Sequence, residues 1–187
     1  MRDELESLKA MVEPKALKTI NTKQATLILK EPKNDGTDKL SQVTLYNVPN
    51  ETVVFTLDLP NSRISGYLAE KKGGWNRGCD YVIATHDGKT GWLLLCEMKS
   101  GSTPSGFVPQ LQSGDAFMRY LEALVAYFGK GSLSSFQRRH VLFHQASALE
   151  KKSLFGSGKL TVEDTKSLNL IKVNRNVLQL SELFVEA

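Results

Sequence analysis

Apolar residues along this chain recur with two periods, and the change from one to the other predicts its elements. Residues 1–13 carry Leu5, Leu8 and Val12 on one stripe and stop at Pro14, the pattern of a short helix. Residues 25–29 (Ala-Thr-Leu-Ile-Leu), 43–46 and 52–57 read as strands, separated by the polar stretch 31–40 and by Asn47-Val-Pro-Asn50. A turn at 60–62 leads to 64–72, which predicts a short helix with Ile64, Tyr67 and Leu68 inward, ended by Gly73-Gly74. Residues 81–85 and 91–99 predict two more strands, and residues 109–128 the longest helix. Leu111, Met118, Leu121, Leu124, Val125 and Phe128 supply that helix's buried side, Pro109 its first turn and Gly129-Lys-Gly131 its stop. Residues 138–144, 168–173 and 177–180 close the series as strands, with 153–165 read as loop. Strands, a hairpin, a long helix and a returning strand predict one α/β domain over 1–187. Its core is a mixed central β-sheet with helices packed on it and a right-handed crossover through the long helix. The helix in 1–13 is free to dock on this domain or on a partner.

Composition narrows this picture only a little. A chain of 187 residues, 41% hydrophobic and 24% charged, is long enough for a sizeable core and ordinary for a globular protein. The formal charge of +4 permits a nucleic-acid partner without demanding one. No stretch approaches eighteen apolar residues and the N-terminus has no signal-peptide core, so the expectation is a cytoplasmic protein with no membrane contact. The two cysteines, Cys79 and Cys96, are expected to be small buried residues rather than a disulfide or zinc pair, both pointing away from the face that carries their acidic neighbours.

Chemistry concentrates between Gly78 and Gly101. Residues 81–85 and 91–99, joined by His86-Asp-Gly-Lys-Thr90, predict a β-hairpin. With the turn centred between Gly88 and Lys89, Asp80 faces Glu97 directly. With the tighter Asp87-Gly88 turn, Asp80 faces Leu95 and the acids are diagonal neighbours. Lys99 shares their face in either register. The chain has five Glu-x-Lys triplets, but only Glu97-Met-Lys99 follows an apolar run and has an aspartate across a hairpin. Two adjacent carboxylates repel and are costly to desolvate; a hard divalent cation, Mg²⁺ or Mn²⁺, relieves both, and a nearby lysine stabilises developing negative charge.

Asp80 followed by Glu97-x-Lys99 at the end of an apolar strand resembles the core of the PD-(D/E)xK nuclease superfamily. Arg77-Gly-Cys-Asp-Tyr-Val-Ile, Leu-Leu-Cys-Glu-Met-Lys-Ser-Gly and Pro-Gln110-Leu111 resemble short prokaryotic members of it. The resemblance spans residues 53–184. It implies a restriction-endonuclease-like core, a mixed sheet flanked by helices, and metal-dependent cleavage of nucleic acid, DNA ahead of RNA, in prokaryotic defence or repair. It also implies that Asp80 and Glu97 hold Mg²⁺ or Mn²⁺, that Lys99 assists attack by water, and that Gln110 lies near the metals. An acid from an earlier helix is expected too; Glu51, Asp58 and Glu70 are the candidates, Glu70 slightly preferred.

Around this core, Lys71, Lys72, Arg77, Arg138 and Arg139 are candidates for a groove that tracks a phosphate backbone. Other motifs fail. Phe155-Gly-Ser-Gly-Lys159 lacks the flanking residues of a P-loop, and no Gly-x-Ser-x-Gly elbow occurs. His140 and His144 share a strand face about 13 Å apart, too far for one metal. The alternative to a nuclease is a non-catalytic module of the same fold, binding nucleic acid, a protein partner or a second copy of itself.

Overall fold

The structure is a computed structural model that describes residues 2–30, 42–59, 64, 65, 68, 75–99, 105–144, 160, 162–165 and 168–185. In chain order its helices are α1 (Arg2–Met11) and α2 (Phe107–Phe128). Its strands are β1 (Thr26–Lys30), β2 (Gln42–Tyr46), β3 (Val53–Phe55), β4 (Tyr81–His86), β5 (Gly91–Lys99), β6 (Gln137–His144), β7 (Val162–Thr165), β8 (Leu168–Val173) and β9 (Val177–Gln179). Short 3-10 turns cover Pro14–Ala16 and Leu180–Leu183.

Among the described residues the strands form two sheets, ordered β3-β4-β5-β6-β8-β7 and β1-β2-β9. The larger is mixed: β3, β4 and β5 run antiparallel in sequence, β5 and β6 are parallel, β6 and β8 are parallel, and β7 returns antiparallel on β8. The parallel β5–β6 step is made through α2, because parallel neighbours need a crossover that no tight turn can provide.

Alternate side chains sort the core into two layers. On one face of the large sheet, Val82, Ala84, Leu93, Leu95, Leu142 and Leu170 pack under α1 and α2, which contribute Leu5, Leu8, Leu111, Met118, Leu121 and Val125. On the other, Ile83, Trp92, Leu94, Met98, Val141 and Phe143 meet Leu27, Leu29, Val43, Leu45 and Leu178 of the small sheet. Burial on both faces is why β5 reads as an unbroken apolar run rather than an alternation. The mixed sheet with helices packed on it is the one expected; among the described residues the helices cover one face, and a three-stranded sheet covers the other. The small sheet is tied to β4 by Tyr81, whose hydroxyl donates to the Lys30 carbonyl at 2.6 Å and accepts from the Lys30 N–H at 3.2 Å.

Boundaries move where tertiary contacts overrule local pattern. α2 begins two residues before Pro109, at Phe107, after Gly106 in the left-handed region (φ 74°). The stretch read as loop over 153–165 contains β7, an edge strand of Val-Glu-Asp-Thr with no apolar alternation to reveal it. The helix predicted over 64–72 lies largely outside the described residues. α1 lies on the domain itself, with Leu5 and Leu8 buried beneath it and Ser7 Oγ accepting from the Lys130 N–H at 2.8 Å. Among the described residues, no helix is long and apolar enough to cross a membrane.

Candidate active site

One turn sets the register of the whole site. Asp87 Oδ1 accepts from the N–H groups of Lys89 (2.9 Å) and Thr90 (2.8 Å), and Oδ2 accepts from Trp92 Nε1 at 3.1 Å. These bonds hold the Asp87 carboxyl below its ordinary pKa. Gly88 takes φ 93°, a conformation that side chains disfavour. The resulting four-residue loop pairs His86 with Gly91 and Tyr81 with Cys96, so the wider of the two hairpin registers is the one formed. Continued by one residue, it sets Asp80 against Glu97.

The two carboxylates close the end of the ladder in place of backbone bonds. The Met98 N–H donates to Asp80 Oδ2 at 2.7 Å, and the Asp80 N–H donates to Glu97 Oε2 at 3.3 Å. Both acids are buried, Glu97 completely. Lys99 Nζ pairs with the buried Glu97 Oε1 at 2.7 Å. Lys99 Nζ also donates to Gln110 Oε1, at 3.2 Å, from the first turn of α2.

Burial raises the pKa of both acids. For Glu97 the charge of Asp80 adds to the rise, against the Lys99 ammonium and the Asp80 N–H. For Asp80 the Met98 N–H and Lys99 pull down, while the charge of Asp58 pushes up. Asp58, just past β3, is therefore the one of the three earlier acids that the described structure brings into the field of Asp80. Glu51 precedes β3 at the other end of the strand, and Glu70 lies outside the described residues. Among the described residues no three His, Cys, Asp or Glu side chains converge closely enough to hold a metal alone.

Among the described residues, the basic candidates do not share one face. Lys71 and Lys72 lie outside the described residues, and Arg77 is exposed three positions before Asp80. Arg138 is on the α2 face, paired with Asp115 Oδ1 at 2.9 Å and with Glu122. It sits opposite Leu93, four residues up the ladder from Glu97, or about 13 Å away. Arg139 points to the other face, buried, donating to the Val185 carbonyl at 2.6 Å with its guanidinium over the Trp92 ring. Strand alternation separates these two neighbours, and internal partners occupy both. Of the two cysteines, both buried and free as expected, one departs from its expected direction. Cys96 faces away from the acids, but the bend at Asp80 turns Cys79 under α2, where a Cβ on Gly114 would come within 2.9 Å of its sulfur. Both thiols are free and buried.

Sequence reasoning weighed His144 only as a metal ligand alongside His140 and did not place it near the acid pair. The parallel ladder sets it beside Lys99, on the same face and buried. The signal was available in the crossover, which aligns the C-terminal ends of β5 and β6, where open α/β sheets carry their sites.

No protein-family model, no curated protein and no solved structure matches the chain.

Proposed function

We propose that this protein is a metal-dependent nuclease of PD-(D/E)xK type, hydrolysing phosphodiester bonds of nucleic acid, DNA ahead of RNA. The observation that carries the reading is the buried pair itself: Asp80 and Glu97 are both buried side by side at the end of the β4–β5 ladder, with Lys99 Nζ 2.7 Å from Glu97 Oε1. A ladder clip needs no such charge, since asparagine and glutamine would accept the same two backbone N–H bonds. Acids kept where burial and mutual repulsion raise their pKa are characteristic of a site that works on charge. The antiparallel β4–β5 hairpin, followed by α2 and the parallel β6, supports a restriction-endonuclease-like core.

The donor set suits Mg²⁺ or Mn²⁺. Asp80 and Glu97 offer hard oxygens, and because magnesium keeps waters and binds substrate phosphate, these two carboxylates with the Met98 carbonyl would suffice to hold it. When bound, the ion acidifies a water and neutralises phosphate charge. The chain supplies the rest. Hydrolysis forms one P–O bond to water and breaks one bridging P–O bond, and negative charge accumulates on the non-bridging oxygens. Lys99 meets that charge from a fixed position. Glu97 and Gln110 hold its ammonium from two sides, so Gln110 is a positioning residue for Lys99.

The test is cleavage of labelled DNA and RNA by the purified protein with Mg²⁺, Mn²⁺ or EDTA. Cleavage is expected with either metal and not with EDTA. Lys99→Ala should lower the rate by about 10²–10³, as for loss of one preorganised electrostatic donor, while binding, which sums many phosphate contacts, changes little. Lys99→Arg should not rescue, because a planar fork cannot replace a compact ammonium. Absence of metal-dependent cleavage, or a wild-type rate in Lys99→Ala, overturns the reading in favour of a non-catalytic binding module.

A further inference from the structure

α2 is buried along one side. Leu111, Met118 and Val125 face the large sheet, and the helical period puts Ala116, Tyr120, Ala123 and Tyr127 diametrically opposite them. All four are exposed, Tyr120 by 58% and Tyr127 by 83%. Phe128, expected on the buried side, is turned out as well, 79% exposed. Half-buried Phe117 and Leu124 widen the apolar surface along one flank. Its rings pair along the helix, Phe117 with Tyr120 (centroids 6.1 Å apart) and Tyr127 with Phe128 (6.5 Å). No residue of this arc is charged. Asp115, Arg119 and Glu122 lie on the other flank, where Asp115 and Glu122 hold Arg138 and Arg119 pairs with Asp115 at 2.9 Å. Without cations the arc offers nothing to a phosphate backbone. Aromatic enrichment with charge depletion is the composition of the centre of a protein interface. At roughly 200 Å² per aromatic, Tyr120, Tyr127 and Phe128 alone expose about 450 Å². The alanines, Phe117 and Leu124 bring the face close to the roughly 800 Å² that each partner buries in a stable complex.

We propose that this face pairs with the same face of a second copy of the chain, α2 against α2 and antiparallel, in a homodimer. The order of side chains selects that partner. Small and large residues alternate at spacings of four, three and four from Ala116 to Tyr127, the spacing of a helix–helix seam. A twofold axis between Leu121 and Glu122 sets Tyr120 on Ala123 of the second copy and Ala116 on its Tyr127. Symmetry repeats both contacts in reverse, so every ring meets an alanine. The alanines let the two helices approach, and the tyrosine hydroxyls are free to reach the wet rim. The same axis brings the charged flanks together on one side of the seam. Arg119 then stands level with Leu124 of the second copy, about 3 Å along the axis from its Glu122. Opposite charges therefore face each other in both directions. Asp80, Glu97 and Lys99 take no part, so the dimer stands whether or not the chain cleaves nucleic acid.

Sedimentation velocity of the full chain, from low to high micromolar concentration, tests this. The mass should rise with concentration from 20.8 kDa to twice that value. Ala123→Glu sets an unpaired carboxylate against Tyr120 of the other copy and should weaken association by more than about 100-fold. Ala123→Tyr should also weaken it, by crowding two rings into the space of one, and Tyr120→Ala by leaving that space empty. The exchange variant, Tyr120→Ala with Ala123→Tyr, sets large on small again in the reverse order. It should recover association to within roughly tenfold of the wild type, because the two positions act as one contact. A surface that is merely adhesive would lose with each change and regain nothing in the exchange. All these positions are exposed, so the monomer should keep its stability, and melting in dilute solution checks that each variant folds. A monomer at every concentration overturns the proposal and leaves the face to a different protein. A dimer that survives Ala123→Glu overturns it by placing the contact elsewhere. An exchange variant that associates no better than Ala123→Tyr alone overturns the antiparallel register.

Discussion

His140 is a buried histidine for which the described residues offer no hydrogen bond to either ring nitrogen. It faces Asp115 and Arg119 on α2 and Arg138 on its own strand; its Nε2 is 3.9 Å from Asp115 Oδ1. Burial pushes its pKa down to about 4; the Asp115 charge opposes this, and the arginines reinforce it. The folded protein therefore keeps His140 neutral where the unfolded chain, with a pKa near 6.5, takes up a proton. Its contribution to stability is fully present above about pH 6.5 and is lost as pH falls toward the folded value, by roughly 3 kcal/mol across that window. His140→Phe should remove this component. Chemical denaturation of both proteins between pH 4 and 7 measures the difference, in which the titration of Asp80 and Glu97 cancels. Parallel pH profiles would mean that His140 finds a partner or water when charged. The sequence showed the strand and that His140 shares a face with His144. It could not show the burial, because that depends on where α2 lies.

At the scale of elements, α2 is the lever that completes the site, and its seat is Gly114. A Cβ there would meet Cys79 Sγ at 2.9 Å and Leu95 Cδ2 at 3.3 Å. Alanine gains about 1 kcal/mol of helix propensity over glycine, but overpacking a core contact costs roughly 1–3 kcal/mol, and neither neighbour is the far end of a long, flexible side chain. Gly114→Ala should therefore lower the melting temperature and, by lifting the first turns of α2, move Gln110 off Lys99. Cys79→Ala in that background should restore stability. A double-mutant cycle should show coupling of about 1 kcal/mol; additive effects would mean the helix seats elsewhere. Legibility follows the same division between local and long-range causes. The hairpin could be read because its turn residues, Asp87 and Gly88, act locally, and the acids follow from the turn by counting. Two registers remained open, since the choice depends on Asp87 capping Lys89 and Thr90 and holding Trp92. The partition of strands into two sheets could not be read: Leu27, Leu29, Val43 and Leu45 alternate as they would in either sheet. Edge strand β7 was missed because, with water on one side, its composition carries no pattern.

For the molecule as a whole, the acid pair lies where β4, β5, β6 and α2 converge, so what happens there is felt in global stability. Without metal the pair opposes folding, through two buried carboxylates offset in part by Lys99. Glu97→Gln and Asp80→Asn keep the two backbone acceptors and remove the repulsion. In EDTA both variants should be as stable as the wild type or more so. A divalent ion that binds the folded pair and not the unfolded chain adds RT ln(1 + [M]/Kd), about 2.7 kcal/mol at a hundred times Kd. For a chain of this size that is a rise of roughly 5–10 °C in melting temperature. The wild type should show it with Mg²⁺ or Mn²⁺, and both variants should lose it. Lys99→Ala separates the roles: it should be less stable in EDTA, because the pair then has no offsetting cation, yet keep the metal-dependent rise in full. Calorimetry or dye-based melting across a metal titration reads all four proteins under one protocol. The same rise in Asp80→Asn and Glu97→Gln as in the wild type would place the bound metal elsewhere, and the two carboxylates would then be a ladder clip and nothing more.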